Sequence, residues 1–124
     1  YFPTSDISAT RVQGFHGFNY VDALDDWSEK QQRGDIRFSE ETDRIYSAGP
    51  LQTLVTPERT LELSCNSSSA VIWNPWVEKS KRLSQFPHDA WQRMFCVESA
   101  NALHDYVTLQ PNESHSLTLS LRQR

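Results

Sequence analysis

An acidic side chain, Glu98, closes the otherwise apolar stretch MFCVESAN at residues 94–101. Successive side chains of a strand point to opposite faces, so Phe95 and Val97 share one face while Cys96 and Glu98 share the other. In a cleft, burial raises the pKa of a carboxylate and a cationic neighbour lowers it, which is how a general base is tuned. A strand-end glutamate in water or in an ordinary ion pair is the alternative, and this stretch alone leaves both interpretations open.

The elements that must position Glu98 are short strands separated by polar turns, which is typical of an all-β sandwich. Helical turns are predicted only after Pro75 and Pro87, since proline favours the first position of a helix. The strands are predicted at Leu61 to Cys65, Ala70 to Trp73, Arg93 to Glu98, Tyr106 to Leu109 and Ser116 to Leu121, with shorter ones near Ile36, Arg44 and Leu51.

Two polar stretches predict turns. CNSSSAV at residues 65–71 predicts a hairpin between two strands, and QPNESH at residues 110–115 predicts a turn in which Asn112 takes the left-handed conformation. Asn66 and Asn112 match the glycosylation pattern, but we expect plain turns there. The alternation of leucines at residues 117–121 predicts a half-exposed strand.

Composition narrows the class of protein. With 124 residues, 37% of them hydrophobic and 23% charged, we expect one globular domain, or a piece of one, over residues 1–124. No apolar run reaches membrane-spanning length and no secretory leader is visible, so we expect a cytoplasmic protein without a membrane partner. The net charge of −4 and the lack of a basic cluster argue against nucleic acid. Cys65 and Cys96 are expected to be reduced, packed thiols.

Several long motifs carry a family resemblance. YFPTSDI, VQGFHGFNYVDAL, ETDRIY, VIWNPWVEKS, DAWQRMFCVESAN and VTLQPNESHSL follow one another in this order. The chain thereby resembles the carboxy-terminal half of hexose-6-phosphate mutarotases, the glucose-6-phosphate 1-epimerases of the aldose 1-epimerase (galactose mutarotase-like) superfamily. The resemblance implies a large twisted antiparallel β-sandwich, of which residues 1–124 form the carboxy-terminal part. Residues 1–15 also lack a polar lead-in, so we expect a preceding segment.

The resemblance implies roles for particular residues. Glu98 would be the general base on the anomeric hydroxyl, and Asp43 would contact sugar hydroxyls. The general acid would be a histidine one or two positions upstream of Tyr1, a place that none of the four histidines of the chain occupies. No cofactor or metal is expected. The expected partners are a hexose 6-phosphate and the amino-terminal half of the same protein.

Other side chains keep two interpretations. Trp73 and Trp76 either line the sugar cleft or pack in the core. Lys79, Lys81 and Arg82 either attract a phosphate or form a solvated face. Two functions therefore stay open: an isomerase that interconverts the α and β anomers of glucose 6-phosphate, and a non-catalytic carbohydrate-binding β-sandwich module.

Overall fold

Two antiparallel sheets make up the structure, a computed structural model that describes residues 1–124. The six-stranded sheet has the order β1-β10-β9-β6-β3-β4, and the five-stranded sheet has the order β11-β8-β7-β2-β5. The strands are β1 (Phe2–Pro3), β2 (Arg11–Gln13), β3 (Asn19–Asp22), β4 (Ser28–Gln31), β5 (Ile36–Arg37), β6 (Thr42–Ser47), β7 (Leu51–Val55), β8 (Thr60–Cys65), β9 (Ser69–Asn74), β10 (Met94–Ala100) and β11 (Leu119–Gln123).

Helical structure is short. One α-helix, α1 (Trp76–Arg82), follows β9, and 3₁₀ turns lie at Ile7–Ala9, Ala90–Arg93 and Leu103–Asp105. The helical turns predicted after Pro75 and Pro87 are thus confirmed. No helix has the length and apolar character needed to cross a membrane.

The hydrophobic core lies between the two sheets. Tyr46, Ile72 and Phe95 of the six-stranded sheet and Leu54 and Leu63 of the five-stranded sheet have no exposed surface and belong to one cluster of 13 buried residues. The prediction of an all-β sandwich is therefore confirmed. The sheets do not close into a barrel, so each keeps two edge strands.

Strand β10 alternates between the core and the opposite side of its sheet, as its sequence predicts. Phe95 and Val97 are buried in the core, whereas Cys96 is half-buried and Glu98 is exposed. Glu98 therefore lies on the side of the six-stranded sheet that faces away from the core, hereafter the outer face.

Two of the predicted elements are wrong. Residues 106–109 form no strand, because no neighbouring strand pairs with their backbone groups. The stretch at residues 65–69 is not a hairpin, since β8 belongs to the five-stranded sheet and β9 to the six-stranded one. It is the connection along which the chain crosses from one sheet to the other. The turn at Asn112 is confirmed by a φ of 68°.

The last strand also differs from its prediction. β11 begins at Leu119 rather than at residue 116, and it is an edge strand. Its leucines share the face of Leu63, which is the core face, yet Leu119 is 45% exposed and Leu121 is 53% exposed. Both faces of β11 are thus exposed, whereas the sequence predicts a strand with one buried face.

The phenol of Tyr46, on β6, is hydrogen-bonded to the residue that follows β4. Its hydroxyl donates a hydrogen bond of 2.7 Å to Gln32 Oε1, and its ring packs against Phe15 and Tyr20 at centroid distances of 4.8 and 4.7 Å. Gln32 is also buried, so the two polar groups satisfy each other away from water. Burial raises the pKa of Tyr46 to about 12.

We predict that Tyr46→Phe destabilises the fold by about 1–3 kcal/mol, because the buried Gln32 Oε1 loses its donor. The raised pKa adds a pH dependence. The stability that comes from neutral Tyr46 is complete below about pH 10, the ordinary pKa of tyrosine, and is lost as pH rises towards the folded-state pKa of about 12. Chemical denaturation at neutral and alkaline pH measures both effects. An equally steep alkaline loss of stability in the phenylalanine variant would contradict the assignment to Tyr46.

Candidate active site on the outer sheet face

Three side chains stand side by side across the centre of the outer face. Cys96 pairs with Trp73, and Trp73 pairs with Asp43 on its other side. Residues directly opposite each other in antiparallel strands point to the same face, so this Trp73 row runs across β10, β9 and β6. The register thus brings together residues that lie far apart in the sequence.

Glu98 belongs to the neighbouring row. It pairs with Val71, which pairs with Ile45, so this Glu98 row crosses the same three strands two residues further along. The strands of Asp43 and Glu98 lie about 10 Å apart and the rows about 7 Å apart. Glu98 and Asp43 therefore stand diagonally across Trp73, with the apolar floor of Val71 and Ile45 beside them.

Both carboxylates are free of partners within the chain. None of the nine ion pairs of the structure includes Asp43 or Glu98, and no side-chain hydrogen bond reaches either carboxylate. Asp43 is half-buried and Glu98 is exposed. A carboxylate group accepts hydrogen bonds and does not donate them. The carboxylates of Asp43 and Glu98 are therefore suited to hydroxyl donors of a ligand.

The two tryptophans of the WNPW motif have different surroundings. Trp73 is half-buried in the outer face, with Lys79 Nζ 5.9 Å from its ring centroid. Trp76 packs against the hydrophobic core, and its ring centroid is 4.4 Å from that of Trp91. The structure therefore places Trp73 beside Asp43 and Glu98 and gives Trp76 a packing environment. A sugar contact from either indole stays a prediction.

The three basic side chains that follow WNPW all lie on α1 but have different surroundings. Lys79 lies over Trp73 and 4.0 Å from a carboxylate oxygen of Glu41. Lys81 forms a 2.8 Å ion pair with Glu78 on the same helix, and Arg82 is exposed. Only Lys79 of the three contacts a residue of the outer face.

The four histidines of the chain have different surroundings, and they differ in whether they border the outer face. His16 Nδ1 accepts a 2.8 Å hydrogen bond from the backbone N–H of Gly34, and His115 Nε2 is 3.1 Å from Asn101 Oδ1. His88 is exposed. His104, on the 3₁₀ turn after β10, lines a pocket of about 300 Å³. The same pocket is lined by Ile45 of the Glu98 row and by Val21, which pairs with Ile45 from β3. His104 is thus the histidine that borders the outer face.

The two thiols have opposite environments. Burial, the largest cause, raises the pKa of Cys96, and the charge of Glu98 also raises it, although the nearby ammonium group of Tyr1 offsets part of this increase. Burial also acts on Cys65, but hydrogen bonds with Ser67 and Ser99 outweigh it and lower the pKa of that thiol. Both cysteines are free and half-buried, which confirms the prediction of unpaired, packed thiols.

We predict that Cys65 is alkylated faster than Cys96 at neutral pH, because the thiolate is the reactive form and Cys65 holds more of it. Brief exposure to iodoacetamide followed by peptide mass spectrometry measures both rates in one sample. In a Cys96→Ser variant the rate at Cys65 should be unchanged. Faster alkylation of Cys96 would show that its thiol is not the one disfavoured by burial and by Glu98.

The model of the family described as aldose 1-epimerase matches residues 1–122. The chain belongs to the aldose 1-epimerase family. No cluster of three or more histidine, cysteine or acidic side chains that could hold a metal ion is present.

Relatives in this family are longer than the chain. A protein of Cenchrus ciliaris with the provisional name glucose-6-phosphate 1-epimerase is 35% identical over 91% of this chain and 36% of its own length. A Haemophilus influenzae protein with the same provisional name is 33% identical over 98% of this chain and 44% of its own. The chain thus spans less than half the length of these relatives.

Solved structures agree with the fold. The structure of HI1317 superposes with a TM-score of 0.78 at 30% identity, over 98% of this chain and 44% of that one. A Salmonella typhimurium protein, YeaD, described provisionally as a mutarotase, superposes with a TM-score of 0.72 at 26% identity, over 77% of this chain and 34% of that one. The β-sandwich is therefore that of mutarotase-like proteins.

Proposed function

We propose that the chain supplies the general base and the sugar contacts of an enzyme that interconverts the α and β anomers of glucose 6-phosphate and related hexose 6-phosphates. The observation that carries this proposal is the placement of Glu98, Trp73 and Asp43 in adjacent rows of one exposed sheet face. Membership of the aldose 1-epimerase family and the provisional names of its relatives support the same reaction.

Mutarotation requires a base and an acid that act on the same sugar. The Glu98 carboxylate removes the proton of the O1 hydroxyl while an acid protonates the ring oxygen O5, and the C1–O5 bond breaks to give an aldehyde and a C5 hydroxyl. Rotation about C1–C2 turns the other face of the aldehyde towards the C5 hydroxyl. Attack of that hydroxyl with the reverse proton transfers closes the ring as the other anomer.

Asp43 and Trp73 orient the ring during these steps. The Asp43 carboxylate accepts hydrogen bonds from sugar hydroxyls, and the Trp73 indole contacts the apolar C–H groups of the ring. Fixed orientation matters because proton transfer is efficient only when the donor and acceptor atoms are within hydrogen-bond reach.

The register of β1 indicates where the acid would stand. Phe2 pairs with Phe95, so Tyr1 lies opposite Cys96 and a residue two positions before Tyr1 would lie opposite Glu98 if the strand continued. A histidine there would share the outer face with Glu98. This geometry favours the second of the two upstream positions that the family resemblance allows. Within the chain, His104 is the alternative acid, because it lines the pocket beside the Glu98 row.

The uncovered face of β11 supports the amino-terminal half of the protein as a partner. Leu117, Leu119 and Leu121 are each about half exposed, and β11 has an unpaired edge. Apolar side chains on the core face of a sheet are stabilised by burial against another layer. We propose that the segment which the longer relatives have in addition covers this surface.

A second candidate function is a carbohydrate-binding module without catalysis, since sugar contacts by Asp43 and Trp73 require neither a base nor an acid. The residue two positions before Tyr1 in the gene distinguishes the two. A histidine at that position supports the isomerase, and any other residue supports the binding module.

We predict that Glu98→Gln lowers the rate of anomer exchange by about 10²–10⁴-fold, because it keeps the shape of the side chain and removes the base. The assay uses a chimera in which this chain replaces the matching region of the Haemophilus influenzae relative, with NMR exchange between the anomers of glucose 6-phosphate as the readout. Binding of the sugar phosphate should largely survive.

Glu78→Gln is the matched control for this experiment. Glu78 is an exposed glutamate on α1 whose only ionic partner is Lys81, so its amide variant should exchange anomers at the rate of the unmodified chimera. Unchanged exchange in the Glu98→Gln chimera, with an active parent chimera, would return Glu98 to the interpretation as an ordinary strand-end residue.

We predict that the 124-residue chain alone shows little anomer exchange above the buffer rate, because an oriented acid contributes about 10²–10⁴-fold. Addition of the amino-terminal half should restore exchange and protect the β11 amides from hydrogen exchange. Full activity of the chain alone would instead assign the acid to one of its own histidines, and His104→Gln would identify it.

A further inference from the structure

Residues 106–109, hereafter the YVTL segment, are an extended stretch whose backbone is unpaired. Tyr106 has φ −69° and ψ 154°, and none of the hydrogen bonds of the structure involves a backbone group of these four residues. Each of them carries one N–H donor and one C=O acceptor. The segment therefore presents a row of free donors and acceptors, like the edge of a sheet.

The residue types of the YVTL segment are those of a strand. Tyrosine, valine and threonine are enriched in strands, and alternation places Val107 and Leu109 on one face. Tyr106 is 72% exposed, Val107 41% and Leu109 51%. The segment thus has the composition and the apolar face of a strand but no partner within the chain.

Both ends of the YVTL segment are held in place. Before it, Asp105 Oδ2 accepts hydrogen bonds from the Ser68 N–H at 3.0 Å and from the Ser69 hydroxyl at 2.9 Å. After it, the Gln110 N–H donates to Glu113 Oε2 at 2.9 Å, and the Glu113 N–H donates to the Gln110 carbonyl at 3.0 Å. Because the segment is anchored and already extended, pairing with another strand costs less conformational entropy.

We propose that the YVTL segment is a strand-addition site for the amino-terminal half of the protein. An extended strand of that half pairs with the backbone of residues 106–109, and its layer covers Val107 and Leu109. This inference rests on the partner named in the proposed function. The chain spans 36% and 44% of the lengths of two relatives, so the rest of those proteins is long enough to supply such a strand.

The uncovered apolar residues favour a partner that is always present. Six of the eleven exposed large hydrophobic side chains belong to residues 106–121, namely Tyr106, Val107, Leu109, Leu117, Leu119 and Leu121. A covalently linked segment acts at a high effective concentration, whereas a second copy of the chain must first associate. The amino-terminal half is therefore the better occupant of this site.

The first test compares amide hydrogen exchange in the 124-residue chain and in the chimera with the Haemophilus influenzae relative. A strand paired along one edge uses the N–H groups of alternate residues. Either residues 106 and 108 or residues 107 and 109 should therefore exchange about 100-fold more slowly in the chimera than in the chain alone. The amides of β9, which is paired on both sides, should be protected in both proteins.

The second test removes single N–H groups. Val107→Pro and Thr108→Pro each delete one donor, and Val107→Ala and Thr108→Ala are the matched controls that keep it. In the chain alone, each proline variant should be as stable to denaturant as its alanine control, because these donors have no partner there. In the chimera, the proline variant at the protected amide should have a folding equilibrium constant about 10-fold below that of its control.

Three results would overturn the proposal. These are unprotected amides of the YVTL segment in a chimera that exchanges anomers, proline variants of the chimera that match their alanine controls, and proline variants that destabilise the chain alone. Protection that rises with the concentration of the chain alone would also overturn it and assign the site to a second copy. A chimera that protects these amides but exchanges no anomers would refute the isomerase and keep the strand-addition site.

Discussion

The register between β6, β9 and β10 is the constraint on which the site depends. Because side chains alternate between the faces of a strand, a slip of one residue in β10 would turn Glu98 into the core and expose Val97. The pairing of Cys96 with Trp73 and of Trp73 with Asp43 therefore fixes the core and the candidate site together. Neither can change its register without loss of the other.

Packing of apolar side chains in the core stabilises this register. Phe95 and Ile72 are fully buried, and burial of such side chains contributes about 1.5–3 kcal/mol each. Glu98 and Asp43 have no partner that would hold them in place within the chain. The outer face is thus positioned by the apolar residues behind it, which leaves its carboxylates free to meet a ligand.

Local alternation and family motifs predict a good part of this arrangement. The pattern of residues 94–98 is enough to assign Glu98 to the face opposite Phe95 and Val97, because that assignment needs only the period of a strand. The adjacency of Asp43, Trp73 and Glu98 needs the pairing of three strands that are distant in the sequence, which no local pattern contains. Lys79 and Lys81 have different surroundings because of where α1 packs, and the local sequence pattern does not contain that information either.

The errors have the same origin. Residues 106–109 alternate like a strand but find no neighbouring strand, and residues 65–69 resemble a hairpin turn but join different sheets. β3 and β4 are not predicted because NYVD is short and SEKQ is polar. They form strands because β3 pairs with both β4 and β6. Pairing partners, rather than propensity, decide these segments.

A crystal structure of the Glu98→Gln chimera with glucose 6-phosphate bound tests the central claim most directly, since the variant keeps the site and stops the reaction. The account predicts the sugar on the outer face, with O1 within hydrogen-bond distance of the residue 98 side chain, the ring against Trp73 and a hydroxyl at Asp43. A sugar bound on another surface, with residue 98 out of reach of O1, would contradict it.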